Sequence, residues 1–211
     1  MMKLRFALVL ALAVGVCGSL GAQQARKKRL LIIGQTKGFQ HDSVSYAMGT
    51  LWKLGHDTGL WDTYLKTDCQ LITKKPLTGN AKNLNFFDAV AFYTTGELDM
   101  DDSQKADLLS FVKDDGKAFI AIHSGTDTFY KWPAYGDMVG GYFDQHPWGT
   151  FDAPLVVEDP SFPGMQFLPR AFTMKDEIYQ SKDFSRDKVR VLVRLDENKL
   201  DYTKKNIHRT V

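Results

Sequence analysis

Lys117-Ala118-Phe119-Ile120-Ala121-Ile122-His123-Ser124-Gly125 runs from an unbroken apolar stretch straight into a small polar turn. A strand with apolar residues at every position has to be covered on both faces, as in a parallel sheet sandwiched between helices. Two earlier stretches read the same way: Arg29-Leu30-Leu31-Ile32-Ile33-Gly34 and Ala89-Val90-Ala91-Phe92-Tyr93. Trp61 to Leu65 forms a further, more polar strand. Helical patterns fall between them. Ser43 caps a helix running to about Gly55, with Ala47, Leu51 and Leu54 on one face and His56 just past its end. Asp101 to Asp114 carries Ala106, Leu109, Phe111 and Val112 as its apolar stripe, and Gly116 ends it. Alternating strands and helices of this kind predict a mostly parallel α/β sheet with helices on both faces. Pro154 to Val157 and Val189 to Val193 read as later strands.

The rest of the chain sets the frame. Its 211 residues fit one domain, residues 29–211, preceded by a leader. Lys3 and Arg5, the apolar run Phe6 to Val16 and the small residues up to Ala22 have the order of a secretory signal peptide over residues 1–22. The expectation is export to the periplasm or the exterior, with no stable membrane span once the leader is cleaved. Val16 stands before Cys17 where a lipid-anchoring motif needs a small residue, so a lipoprotein is not expected. That leaves Cys69 as the one cysteine of the mature chain, unable to form an intrachain disulfide and expected to be buried and inert. A formal net charge of +2 with no dense basic stripe argues against a nucleic-acid partner. Homo-oligomerisation stays open. The chain stops at His208-Arg209-Thr210-Val211 without a closing helix or strand, which reads as a piece of a longer protein.

In parallel sheets, ligands bind beyond the carboxyl ends of the strands. The residues that follow the strands are therefore the candidates: Gln35 to Ser43, Tyr93 to Glu97, and His123 to Thr128. His41 and His123 lie in such loops, and His146 lies in the Gly-rich turn Gly140 to Pro147, while His208 stands near the end of the sequence. Imidazoles gathered at one sheet edge can move protons near neutral pH or hold a divalent metal such as zinc, with His41, His123 and His146 as ligands. The acids placed to assist are Asp127, after the turn, and Glu177, in a polar break; Glu97 reads as solvated. Ile122-His123-Ser124-Gly125 has the shape of a nucleophile elbow but lacks the first glycine of Gly-x-Ser-x-Gly. Ser124 is therefore read as bonding backbone amides at the start of the next helix or contacting substrate. Phe39, Tyr130, Trp132 and Trp148 are the rings expected to contact a sugar; Phe129, Tyr142 and Phe143 add to the aromatic density.

Gly38-Phe39-Gln40-His41-Asp42-Ser43, His123-Ser124-Gly125-Thr126-Asp127, Gly140-Gly141-Tyr142-Phe143-Asp144-Gln145-His146-Pro147 and Asp176-Glu177-Ile178-Tyr179 together resemble the ThuA-like (trehalose-utilisation) family. The resemblance implies a flavodoxin-like, three-layer, doubly wound fold of the class I glutamine-amidotransferase type. It places His123 where those enzymes present a cysteine. Thioester chemistry on glutamine needs a sulfur nucleophile, so amidotransfer is excluded. Family members usually continue into a further segment with an aromatic strand and a Leu-Gly-His turn, which this sequence lacks.

The resemblance also implies a carbohydrate context. Two functions fit these residues. One is an enzyme of carbohydrate catabolism, a lyase, isomerase or hydrolase, acting on an oxidised (3-keto) sugar or glycoside through His41, His123 and His146 with Glu177 or Asp127 as orienting acid. The other is a non-catalytic carbohydrate-binding module of a larger exported protein.

Overall fold

A computed structural model describes residues 26–79, 82–203 and 207–209. The predicted leader, residues 1–22, lies outside the described residues. β1 (Lys28–Ile33) is the strand around which the rest is laid down; Leu31, Ile32 and Ile33 are fully enclosed. Side chains alternate along a strand. Leu31 and Ile33 therefore enter one core and Leu30 and Ile32 another, on opposite faces. Two cores drawing on one strand explain why the run is apolar at successive positions.

β2 (Trp61–Lys66) and β3 (Ala89–Phe92) flank β1, and β4 (Ala118–Ala121) lies beyond β3. All three pairings are parallel, in the order β2-β1-β3-β4. α1 (Ser43–Thr58) covers one face by setting Val44, Met48 and Leu51 against Leu30, Ile32 and Ala91. The other face is covered by α2 (Asp102–Lys113) and α3 (Pro133–Val139), whose Leu108, Phe111 and Tyr135 join Val90 and Phe92. Each such fully buried side chain contributes roughly 1.5–3 kcal/mol by leaving water. The result is the mostly parallel α/β sheet that the sequence predicts, in the flavodoxin-like, three-layer form that the family resemblance implies.

After α3 the chain changes character. β5 (Tyr142–Gln145) pairs antiparallel with β8 (Gln180–Lys182), and β6 (Thr150–Val157) lies between β7 (Ala171–Glu177) and β9 (Val193–Leu195). Buried and less buried residues alternate along the second half of β6, the pattern of a strand covered on one face. Ala153, Leu155 and Leu195 form its core with Trp148, Phe151 and Phe172 packed around them.

Three local expectations are corrected. α1 does not end at Gly55 but continues to Thr58, and Gly59, at φ 68°, forms the left-handed cap. Gly55 serves close packing instead, since a β-carbon there would sit 2.6 Å from the Trp61 carbonyl oxygen. Ser43 does not cap α1: Asp42 takes the cap position, and the Ser43 hydroxyl bonds the Tyr93 hydroxyl at 2.5 Å. Only Val193 of the Val189–Val193 run is in a strand: the pairing with β6 ends at Val157 opposite Val193, and beyond it Glu158 N–H and Asp159 N–H both close on the single Leu192 carbonyl instead of continuing a regular ladder.

Gly125 is packed against the sheet as tightly as Gly55. A β-carbon at Gly125 would lie 2.8 Å from the Phe92 carbonyl oxygen and 3.0 Å from Ala121 Cβ. Backbone cannot yield as a side chain can, so Gly125→Ala is expected to destabilise the fold by about 1–3 kcal/mol, read from urea unfolding.

Candidate functional site

β1, β3 and β4 end side by side, so the residues that follow them meet at one edge. Backbone bonds hold these loops together. Lys37 N–H donates to the Thr95 carbonyl at 2.8 Å, and Gly96 N–H donates to the Asp127 carbonyl at 2.8 Å. The Thr95 hydroxyl also donates to the Phe39 carbonyl at 2.9 Å. Ile122 N–H bonds the Phe92 carbonyl, after which His123 turns sharply into a short 3-10 segment, His123–Thr126. His123 sits at φ 47°, a left-handed conformation that costs a non-glycine residue on the order of 1–3 kcal/mol. This turn directs the imidazole toward His41, with ring centroids 4.9 Å apart and planes at 82°. Tyr93, from the end of β3, lies 6.0 Å from His41 and 5.9 Å from His123 by ring centroid.

The antiparallel part of the fold supplies the opposite wall. Glu177 closes β7 opposite Thr150, and His146 lies just before β6. One carboxylate oxygen of Glu177 is 3.6 Å from His123 Nε2, and the other is 3.3 Å from His146 Nδ1. Tyr179 places its hydroxyl 3.1 Å from His41 Nε2 and its ring 4.3 Å from both His123 and Phe143. His41, His123 and Glu177 each offer a ligand atom within 4.8 Å of the others. His146 stands next to this trio rather than within it. His41 Nδ1 is buried and has no hydrogen-bond partner, which is costly for a polar atom and suits a bound cation.

The electrostatics follow from this enclosure. Burial, joined by the neighbouring His41, holds the His123 pKa below its ordinary value, although Asp176 and Glu177 oppose the shift. Burial, and then the Glu177 charge, push the Tyr179 phenol up, so it stays protonated. The His123 shift has a consequence for stability. The folded state favours neutral His123, so below about pH 6.5 the unfolded chain takes up the proton first and stability falls toward the lower folded pKa. In metal-free buffer the urea midpoint is therefore expected to drop between about pH 7.5 and about pH 5, and the drop is expected to shrink in His123→Gln.

The other sequence candidates have definite places. Asp127 accepts the Tyr130 hydroxyl at 2.6 Å, and that hydroxyl also reaches the Phe143 carbonyl at 3.0 Å. The acid that contacts the histidines is thus Glu177. Ser124 is fully buried and its hydroxyl makes no hydrogen bond, so it does not cap the following turn. Phe39 is 71% exposed and stands edge-on to His41 at 4.9 Å. Trp132 packs on Phe129 and Tyr135 against the main core, and Trp148 packs on Phe151 and Tyr202. His208 pairs with Asp144 at 3.0 Å. Cys69 is buried and its thiol is pushed up to about 12, mainly by burial, so it is no nucleophile. The sequence points to Tyr93 only as part of the loop after β3 and to Tyr179 only as part of the Asp176–Tyr179 motif, and assigns neither a role in the site. The signals for a role are their positions: Tyr93 is the first residue beyond β3, and Tyr179 stands two residues after Glu177.

A parallel sheet carrying imidazoles and a carboxylate at its carboxyl edge, with a strained histidine at the strand-to-turn elbow, defines a histidine-centred variant of the amidotransferase-like fold. The chain belongs to the ThuA (trehalose utilisation) family, whose model matches residues 29–210. A ThuA-like protein from Bacteroides uniformis shares the fold with a TM-score of 0.65 and 17% identity, over 82% of this chain and 69% of that one. No curated protein matches the sequence. No helix among the described residues is long and apolar enough to cross a membrane.

Proposed function

We propose that this protein is an exported component of carbohydrate catabolism that acts on an oxidised (3-keto) sugar or glycoside at the histidine edge. The observation that carries the reading is the trio His41, His123 and Glu177, whose ligand atoms converge within 4.8 Å beside a buried, unpartnered imidazole nitrogen. Two imidazoles and one carboxylate are the donor set of a zinc ion with an open position. Such an ion supplies a Lewis acid for a carbonyl oxygen. The chain's own groups supply the rest. A keto group acidifies the neighbouring C–H, and His146, 43% exposed by side chain and held by Glu177, is placed to take that proton as general base. The Tyr179 hydroxyl positions His41, and Phe39 offers an open ring to the apolar face of the sugar. Proton removal leads to elimination or isomerisation, according to which group leaves or where the proton returns.

The test is solvent exchange. A methyl 3-keto-glucoside in D₂O, followed by proton NMR, is expected to gain deuterium next to the carbonyl with zinc-loaded wild type. His123→Ala is expected to lose that exchange while keeping its fold. Undiminished exchange in His123→Ala contradicts the mechanism. A second reading, a binding module without chemistry, is favoured by the open Phe39 ring alone. It predicts no exchange by wild type and sugar binding that survives His123→Ala but weakens in Phe39→Ala.

A further inference from the structure

A cavity lined by aromatic side chains lies at the other end of the sheet. Lys27 precedes β1, and Trp61 and Asp62 open β2, so their neighbourhood is at the amino ends of the strands, away from the histidines. Lys27, Trp52, Asp62 and Tyr64 line a cavity of about 280 Å³ together with His56 and Thr63. Trp52 is 48% exposed on the outer side of α1, its indole parallel to the His56 ring at 5.2 Å. The indole is thus oriented by a neighbour yet open to solvent. Three residues earlier, a β-carbon at Gly49 would meet nothing, so nothing crowds the approach along that face of the helix.

The polar groups lining the cavity divide into fixed and available ones. Trp61 Nε1–H donates to the Thr63 hydroxyl at 2.9 Å, and that hydroxyl donates to the Leu51 carbonyl at 3.2 Å. These bonds make a rigid floor. Asp62 and Lys27 are only loosely paired, at 3.6 Å, with side chains 55% and 51% exposed. An exposed pair at this distance gains little from its own attraction. Both partners keep hydrogen-bonding capacity: two acceptor oxygens on Asp62 and three N–H donors on Lys27.

We propose that this cavity is a second, non-catalytic saccharide site taking a single unmodified pyranose ring. A pyranose has one face of C–H groups and a rim of adjacent hydroxyls. Trp52 takes the C–H face, Asp62 accepts from two vicinal hydroxyls, and Lys27 donates to a ring or hydroxyl oxygen. The volume admits one ring, so of a disaccharide it would hold one end. The site needs neither a keto group nor a metal, and it stands or falls independently of the histidine chemistry.

The experiment is an NMR titration of ¹⁵N-labelled protein with glucose and with trehalose, following the indole Nε1–H signals. The Trp52 and Trp61 signals are expected to move saturably with both sugars. Trp52→Ala is expected to weaken binding by roughly threefold to tenfold, the range an oriented aromatic contact contributes. Asp62→Asn, which preserves shape, weakens it as well, and His123→Ala leaves it unchanged. Indole signals that stay still at high sugar concentration overturn the proposal. So does an affinity unaltered by both Trp52→Ala and Asp62→Asn, or one lost in His123→Ala.

Discussion

Glu177→Gln is expected to lower the affinity for zinc by at least about 100-fold, the upper end of what losing a mere outer-shell partner costs. The carboxylate contacts the site with both oxygens, one 3.6 Å from His123 Nε2 and the other 3.3 Å from His146 Nδ1. Glutamine keeps the shape and one weak acceptor but removes the negative charge that offsets a divalent ion. It also removes one of the influences that raise the His123 pKa, so the imidazole should be harder still to protonate. Isothermal titration with zinc, with circular dichroism as a check on folding, reads the effect. An affinity within about threefold of wild type would mean that Glu177 only orients the histidines, since even an outer-shell partner costs more than that.

Phe92→Ala is expected to cost about 3–5 kcal/mol, the usual range for emptying a buried aromatic position. Total stabilities of domains are only about 5–15 kcal/mol, so the variant should be marginally folded. Phe92 is fully buried on the central β3, its ring 5.0 Å from Phe119 and 6.4 Å from Tyr135. Its carbonyl holds Ile122 N–H at 2.8 Å, immediately before His123, and the next residue is Tyr93. The cavity would therefore open directly beneath the elbow. Urea unfolding measures the stability, and zinc titration of the folded fraction is expected to show a weakened site. A loss below about 1.5 kcal/mol would mean that the core refills far better than aromatic truncations normally allow.

The parallel half of the fold was readable because its two central strands, β1 and β3, are buried on both faces. Leu30 to Ile33 and Ala89 to Phe92 had to be apolar at successive positions. Ala118 to Ala121 reads the same way, but β4 lies at the edge of the described sheet and leaves Ala118 and Ile120 open on one face, so its apolar run does not mark a strand covered on both faces. The edge strand β2, with Asp62, Tyr64 and Lys66 partly open to solvent, gave a weaker signal. Gly55 misled because a glycine late in a helix looks the same whether it caps or makes room for Trp61.

The site was legible to the same extent as the strands. His41 and His123 were found because each lies beyond the carboxyl end of an apolar strand, β1 and β4. The wall opposite depends on the antiparallel register that sets Glu177 across from Thr150, and nothing local in the sequence specifies that pairing. The aromatic residues show a similar limit. Trp132 and Trp148 have core partners while Phe39 remains open, although composition alone does not distinguish them.

Whether His41, His123 and Glu177 hold a metal ion is decided by elemental analysis. Purified protein, loaded with zinc and then dialysed, is compared with a His41→Ala/His123→Ala variant shown to be folded. One zinc ion per wild-type chain and none in the variant is the expected result. A wild type that retains no metal, or a variant that retains as much as wild type, would contradict it.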